Sequence, residues 1–322
     1  MYNEDYFFDE TIEMSYYGHT KLFMLTHNQT PESSYKNLGK WNFFMGILHL
    51  VQGVAMWTIS KENTREIFLN LPKPDPVKRM FGNAIEKWYD VNLGHTIAAF
   101  LFLSAAAHFI TVIPSVYKWY IKNLKNKINY IRWYEYALSS SVMIYVISVL
   151  NGINDGMLLF ALVGLNAAMN LFGASMEMHN STLRKLANHQ ITTKTVLDEN
   201  GEVIEMDTTD GDTYKPNWSH FVFGSFVGIL PWIISAVYFF VSLDRLGSVA
   251  DLPSRVKDAL NVVKFIFPAL FVFFNCFAIN MVLQYKGVGK WKDYVFGEKV
   301  YIILSLVAKS FLAWFIWGGT LR

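Results

Sequence analysis

Polar residues interrupt this chain at intervals and leave seven apolar stretches between them, near 41–60, 92–114, 131–151, 156–178, 217–242, 259–283 and 299–319. Each approaches the roughly 20 residues that an α-helix, rising 1.5 Å per residue, needs to cross the hydrocarbon core of a bilayer. Runs of this length satisfy their backbone inside lipid only as helices, so the pattern predicts an all-α membrane protein with seven transmembrane helices. Two of the intervals carry patterns of their own. Residues 61–91 place Pro72, Pro74 and Pro76 beside Arg65-Glu-Ile-Phe-Leu-Asn70, which predicts a short strand in a structured loop. Residues 186–216 contain Asn200-Gly201 between two alternating segments, the strongest short hairpin signal, because both turn positions need positive φ. That hairpin is an insertion with two readings, a solvated excursion or a docking point for a partner.

Composition sharpens the membrane reading. The 322 residues are 52% hydrophobic and 17% charged, against about 25% charged in ordinary soluble domains. A net charge of +2 carries no message about nucleic acid, and none is expected as a partner. The single cysteine, Cys276, excludes an intrachain disulfide framework. The first forty residues are acidic and aromatic (Glu4, Asp5, Asp9, Glu10, Glu13), unlike a signal peptide. They read as a tail, 1–40, ahead of a transmembrane domain, 41–322.

Lysines and arginines set the expected orientation. Lys118, Lys122, Lys125, Lys127 and Arg132 lie between the second and third runs, Arg184 and Lys185 follow the fourth, and Lys286, Lys290 and Lys292 lie between the sixth and seventh. All three groups fall on one side. Loops on the other side mix cations with acids, as in Asp244, Arg245, Asp251, Arg255, Lys257 and Asp258. The expectation is a cytoplasmic N-terminus and an extracellular C-terminus, with loop 61–91 outside and insertion 186–216 inside. The N-x-S/T triplets at Asn28, Asn180 and Asn217 are then cytoplasmic or at the cytoplasmic membrane edge, and silent.

Polar residues inside the runs carry the candidate chemistry. Lys309 stands in the middle of the last run, where a lysine costs roughly 2.5–3.5 kcal/mol on insertion scales. Such a residue needs a partner or a purpose, and condensation of its amine with an aldehyde is one purpose. Ser305 precedes it by one helical turn; Ser104 and His108 share a face of the second helix, and His49 and Gln52 a face of the first. Glu135, near the cytoplasmic end of the third helix, is the best partner for Lys309, since intramembrane charges pair. Glu177 and His220 read as interfacial. The same pattern also fits a transporter gate or a structural ion pair, core histidines, and phenylalanines (Phe271, Phe273, Phe274, Phe277) that face lipid or core.

Several strings resemble the heliorhodopsin family. They are Arg132-Trp-Tyr-Glu-Tyr-Ala-Leu-Ser-Ser-Ser-Val-Met143, Phe277-Ala-Ile-Asn-Met-Val-Leu-Gln-Tyr285, and the run from Gly289-Lys-Trp-Lys-Asp-Tyr294 through Gly297 to Lys309 and Thr320-Leu321. Gly46-Ile-Leu-His-Leu-Val-Gln-Gly53, Leu103-Ser-Ala-Ala-Ala-His108, Gly164-Leu-Asn-Ala-Ala-Met169 and Pro231-Trp232 extend the likeness. The tail and the hairpin insertion depart from the family's usual pattern. The resemblance implies a rhodopsin-like bundle of seven helices that is a photoreceptor rather than an enzyme. It implies all-trans-retinal as cofactor, Lys309 as its Schiff-base lysine and Glu135 as counterion. Ser104 and Ser305 become hydrogen-bonding neighbours, His49 and His108 line a polar cavity on the cytoplasmic side, and Phe274, Asn275, Trp232, Met143 and Tyr136 join the retinal pocket. Membrane lipid, a homodimer and an unidentified cytoplasmic protein are the expected partners.

The residues speak against efficient pumping. An outward proton pump of the bacteriorhodopsin type carries two carboxylates along one face of its third helix. Here the face from Glu135 continues through Ser139, Val142, Met143 and Val146 without a second one, and Ser305 stands where pumps usually hold an aspartate. A light sensor is the expected function and a light-gated proton channel the alternative. A channel needs a polar route to the outer side, for which His95, Asp155 and Asp244 are the available groups, each with an equally good reading as a loop residue.

Overall fold

The computed structural model describes residues 32–77, 80–190, 195–197, 203–205, 214–249 and 254–321. Among these, eight α-helices dominate: α1 (Glu32–Ile59), α2 (Leu93–Val112), α3 (Pro114–Lys125), α4 (Tyr130–Leu150), α5 (Gly156–Gln190), α6 (Ser219–Gly247), α7 (Ser254–Lys286) and α8 (Tyr294–Ile316). Two antiparallel pairs of strands accompany them: β1 (Thr64–Asp75) with β2 (Met80–Asn92), and β3 (Thr195–Leu197) with β4 (Val203–Glu205). Helices α1, α2, α5, α6, α7 and α8 are long and apolar enough to cross a bilayer. Phe43, Phe44, Phe160, Phe226 and Phe265 are more than half exposed on their outer faces, an apolar surface on a scale that marks contact with lipid. α4 is more polar, with Arg132, Glu135 and a run of serines, and it is also more thoroughly enclosed.

Polar caps start the helices. Asn92, Asn129, Asp155 and Asp293 accept hydrogen bonds from the backbone N–H of His95, Arg132, Leu158 and Val295, satisfying donors that the first turn leaves free. Asp155 is thus a helix cap. Pro231 and Pro268 lie inside α6 and α7, a placement that helix neighbours in a membrane protein tolerate.

The two ends of the bundle differ. At one end the β1–β2 hairpin docks on the α4–α5 connection, where Phe68 N–H donates to Asn154 O at 2.8 Å and Ile67 enters the core. This hairpin end is packed by Met143, Ile144, Ile147, Leu312, Ala313 and Ile316. At the other, basic end, the Arg184 guanidinium donates to Asn126 O at 3.1 Å and to the Tyr214 hydroxyl at 3.3 Å, tying α5 to the α3–α4 turn and to the segment before α6.

Three expectations change. The 61–91 interval is a long two-stranded hairpin, not a single short strand. Pro72 and Pro74 pair with Asn83 and Phe81 in its register; two residues apart, they share one edge, and the outer edge of a two-stranded sheet needs no N–H donor. The lysine-rich interval after α2 is helical rather than a loop. Pro114 supplies the fixed φ of a first helical position, and Tyr120 and Leu124 bury one face against Tyr35, Leu38 and Val295. Finally, α1 begins at Glu32, inside the span read as tail, and α5 continues to Gln190. The Asn200-Gly201 turn between β3 and β4, and residues 1–31, lie outside the described residues. Asn180 is fully buried and exchanges hydrogen bonds with Asn217 at 3.0 and 2.8 Å, so its side-chain amide is enclosed whichever side it faces.

Candidate functional site

α8 carries Lys309 into the bundle interior, where its side chain is 3% exposed. Its Nζ donates to Glu135 Oε1 of α4 at 2.7 Å and to Ser305 Oγ, one turn earlier on α8, at 2.9 Å. Ser104 of α2 donates to the same carboxylate oxygen at 2.6 Å. The short charge-assisted contacts offset part of the cost of removing both charges from water. Three helices are therefore held together through one carboxylate.

A cavity of about 350 Å³ opens beside Lys309, within the roughly 300–1,000 Å³ typical of small-molecule pockets. Tyr136 and Met143 of α4, Trp232 of α6, Phe274 and Asn275 of α7, and Ser305 and Lys309 of α8 all line it. Trp232 meets Phe271 and Phe274 edge-on, with centroids 5.3 and 5.0 Å apart. Asn275 donates to Phe271 O of its own helix at 2.8 Å and so adds a held amide to the wall. Phe271, Phe274 and Phe277 of the phenylalanine stripe face this cavity, while Phe273 packs on Phe311. His220, expected at the interface, also lines it. An aromatic slot with a single buried amine in its wall fits a long apolar molecule with a carbonyl end.

On the basic-end side of Glu135 lies a small polar cavity of about 40 Å³, lined by Asn42, His108, Arg132, Glu135, Glu298 and Ser305 among others, with room for about two or three waters. His108 and His49 stack with centroids 5.5 Å apart, and His108 Nδ1 lies 2.8 Å from Asn42 Oδ1. His49 is fully buried, and neither ring nitrogen has a hydrogen-bond partner among the described residues.

Below this cavity is a cluster absent from the sequence reading. Arg132 pairs with Glu177 of α5 and Glu298 of α8, and all three side chains are at most 4% exposed. Asn129 donates to Glu298 Oε2 at 2.6 Å, its N–H to Glu177 Oε2 at 2.9 Å, and Trp133 Nε1 to Glu177 Oε2 at 2.7 Å. The guanidinium lies over the Tyr301 ring at 3.9 Å. Glu177 is thus buried, not interfacial, because Arg132 turns inward from what looked like a loop. A cation one turn before Glu135 was the available signal.

A buried lysine paired with a carboxylate beside an aromatic slot is the arrangement the resemblance implied. The sequence model of the heliorhodopsin family matches residues 38–321. The chain belongs to the heliorhodopsin family. It is accordingly a multi-pass membrane protein of the retinal-binding, photoreceptor type. No curated protein matches it significantly.

Proposed function

We propose that this heliorhodopsin is a light sensor whose photochemistry is coupled to the basic end of the bundle alone. In this reading α4 is a seventh span, the basic end faces the cytoplasm and the hairpin end faces outward. Joined through its aldehyde to Lys309 Nζ, all-trans-retinal supplies visible absorption and light-driven isomerisation. Glu135 holds the compensating negative charge. Ser104 fixes one carboxylate oxygen, and Ser305 orients the Lys309 nitrogen. Trp232, Phe274, Met143 and Tyr136 confine the polyene, and Asn275 adds a polar point on the wall.

The observation that carries the sensor reading is the asymmetry around Glu135. Toward the basic end lie the small polar cavity, the two histidines and the Arg132 cluster. Toward the hairpin end lie Met143, Ile144, Ile147, Leu312 and Ile316, and the polar contacts there are between uncharged groups: Asn166 donates to Ser140 and Ser141 at 2.8 and 3.0 Å, and Ser148 meets Ser235 at 3.3 Å. Among the described residues, a proton leaving the Lys309 nitrogen has histidines and carboxylates inside the bundle to reach on one side only, so a cycle returns it rather than moving it across. Lipid covers the outer helix faces, and the exposed Met80, Phe81 and Ile85 of the hairpin suit a second copy of the chain. Whole-cell voltage clamp of illuminated, pigment-bearing cells tests the function. The expected result is no steady photocurrent. A current reversing with the proton gradient overturns the sensor in favour of a channel, and one persisting against it in favour of a pump.

A further inference from the structure

A second cavity, of about 480 Å³, lies toward the hairpin end between α4, α6, α7 and α8. Stacked aromatics stand between it and the Lys309 cavity. Phe267, which lines the second, stacks on Phe239 at 4.9 Å and meets Trp232, which lines the first, at 5.6 Å. Its apolar wall includes Leu150, Leu243, Leu270, Leu312 and Ile316, and its polar groups are Arg65, Asn151 and Ser242.

Those polar groups are mainly donors without acceptors. Asn151 Nδ2 is buried and has no hydrogen-bond partner among the described residues, and a buried unpaired donor costs about 1–3 kcal/mol. Arg65 of β1 is exposed and forms no ion pair among the described residues, while the neighbouring carboxylates of Glu66 and Asp90 are engaged by Lys87 at 3.0 and 2.8 Å. The terminal carbonyls of α4 do not oppose an anion here with full strength, because Ile147 O, Ser148 O and Val149 O accept the N–H groups of Asn151, Ile153 and Gly152.

We propose that this cavity binds a single-chain amphiphile with a carboxylate head, a long-chain fatty acid. Its carboxylate accepts from Asn151 Nδ2 and the Arg65 guanidinium, and its alkyl chain lies among Leu243, Leu270 and Leu312. The site is separate from that of retinal and does not depend on the sensor reading.

The test uses full-length, pigment-bearing protein in phosphatidylcholine nanodiscs and a fatty acid carrying a mid-chain diazirine. Photolysis should place adducts on peptides containing Leu150–Gly152, Phe239–Leu246 and Leu312–Ile316. Excess palmitate should suppress them, with methyl palmitate weaker by about tenfold, the scale of a lost charge-assisted hydrogen bond. Arg65→Gln, a surface change, should shrink that difference, and Leu243→Trp, filling the cavity while the visible pigment is retained, should remove the adducts. Labelling spread evenly over the lipid-facing helices, or equal competition by the methyl ester, overturns the proposal. So does better displacement by phosphatidylglycerol than by palmitate, which makes the site a phospholipid groove.

Discussion

Among the described residues, Glu135, Ser305 and the ring face of Tyr136 answer the charge of Lys309, with Nζ 5.4 Å from the ring centroid. Two substitutions test its role and that of its partner. Lys309→Ala deletes the only amine lining the cavity among the described residues, so added all-trans-retinal should produce no visible band. A normal pigment from this variant would sink the attachment. Glu135→Gln keeps the shape and a group for Ser104 to meet, but removes the anion. The visible band should move to the red, or collapse to the near ultraviolet at neutral pH, because a buried cation without its counterion is less stable. An unchanged spectrum would count against a sole counterion. These two residues were legible in sequence because each is a polar break in an apolar run. Arg132, Glu177 and Glu298 were not. Each sits at the end of its apolar run, where a charge reads as solvated, and only neighbours from other helices decide that all three are enclosed. Asn42, the acceptor or donor facing His108, was missed for the same reason.

At the scale of elements, hydrophobic periodicity found the long helices and erred where local chemistry competes with it. Prolines disguised β1, since their effect depends on which strand edge they occupy, and lysines disguised α3, whose apolar face is only two or three residues wide. Helix contacts were invisible too, and Gly173 of α5 marks one. A Cβ there would stand 2.2 Å from Trp133 Cζ3 of α4. The indole is poorly placed to yield, because its Nε1 is bonded to Glu177 and Arg132 lies over its ring at 4.8 Å. Gly173→Ala would gain up to about 1 kcal/mol of helix propensity, but overpacking costs about 1–3 kcal/mol. The overpacking should win, lowering the midpoint of thermal bleaching of the pigment. An unchanged or raised midpoint would show that α4 and α5 separate more easily than their contacts imply.

For the whole molecule, the sidedness argument survives the loss of one of its members. Arg132 was counted among the loop cations and belongs to the interior. Lys118, Lys122 and Lys125 remain on or beside α3, Arg184 and Lys185 near the end of α5, and Lys290 and Lys292 on the 3₁₀ turn before α8. Contacts bring α3, the end of α5 and the start of α8 to one end: Arg184 reaches Asn126 O, and Tyr294 reaches Glu177. The hairpin end instead alternates signs, as in Glu66, Lys87 and Asp90. Because clustered lysines near helix ends are retained in the cytoplasm while paired charges exert little bias, the basic end should be cytoplasmic. Trp317 Nε1 lies 3.5 Å from Ile59 O, placing the end of α8 with the end of α1, beside the hairpin. An epitope after residue 322 should therefore be stained on intact cells, and one inserted at residue 201 only after permeabilisation. The reverse pattern would invert the molecule. The polar side of Glu135 would then face outward, and a cytoplasmic partner would have to read the hairpin instead of the basic end.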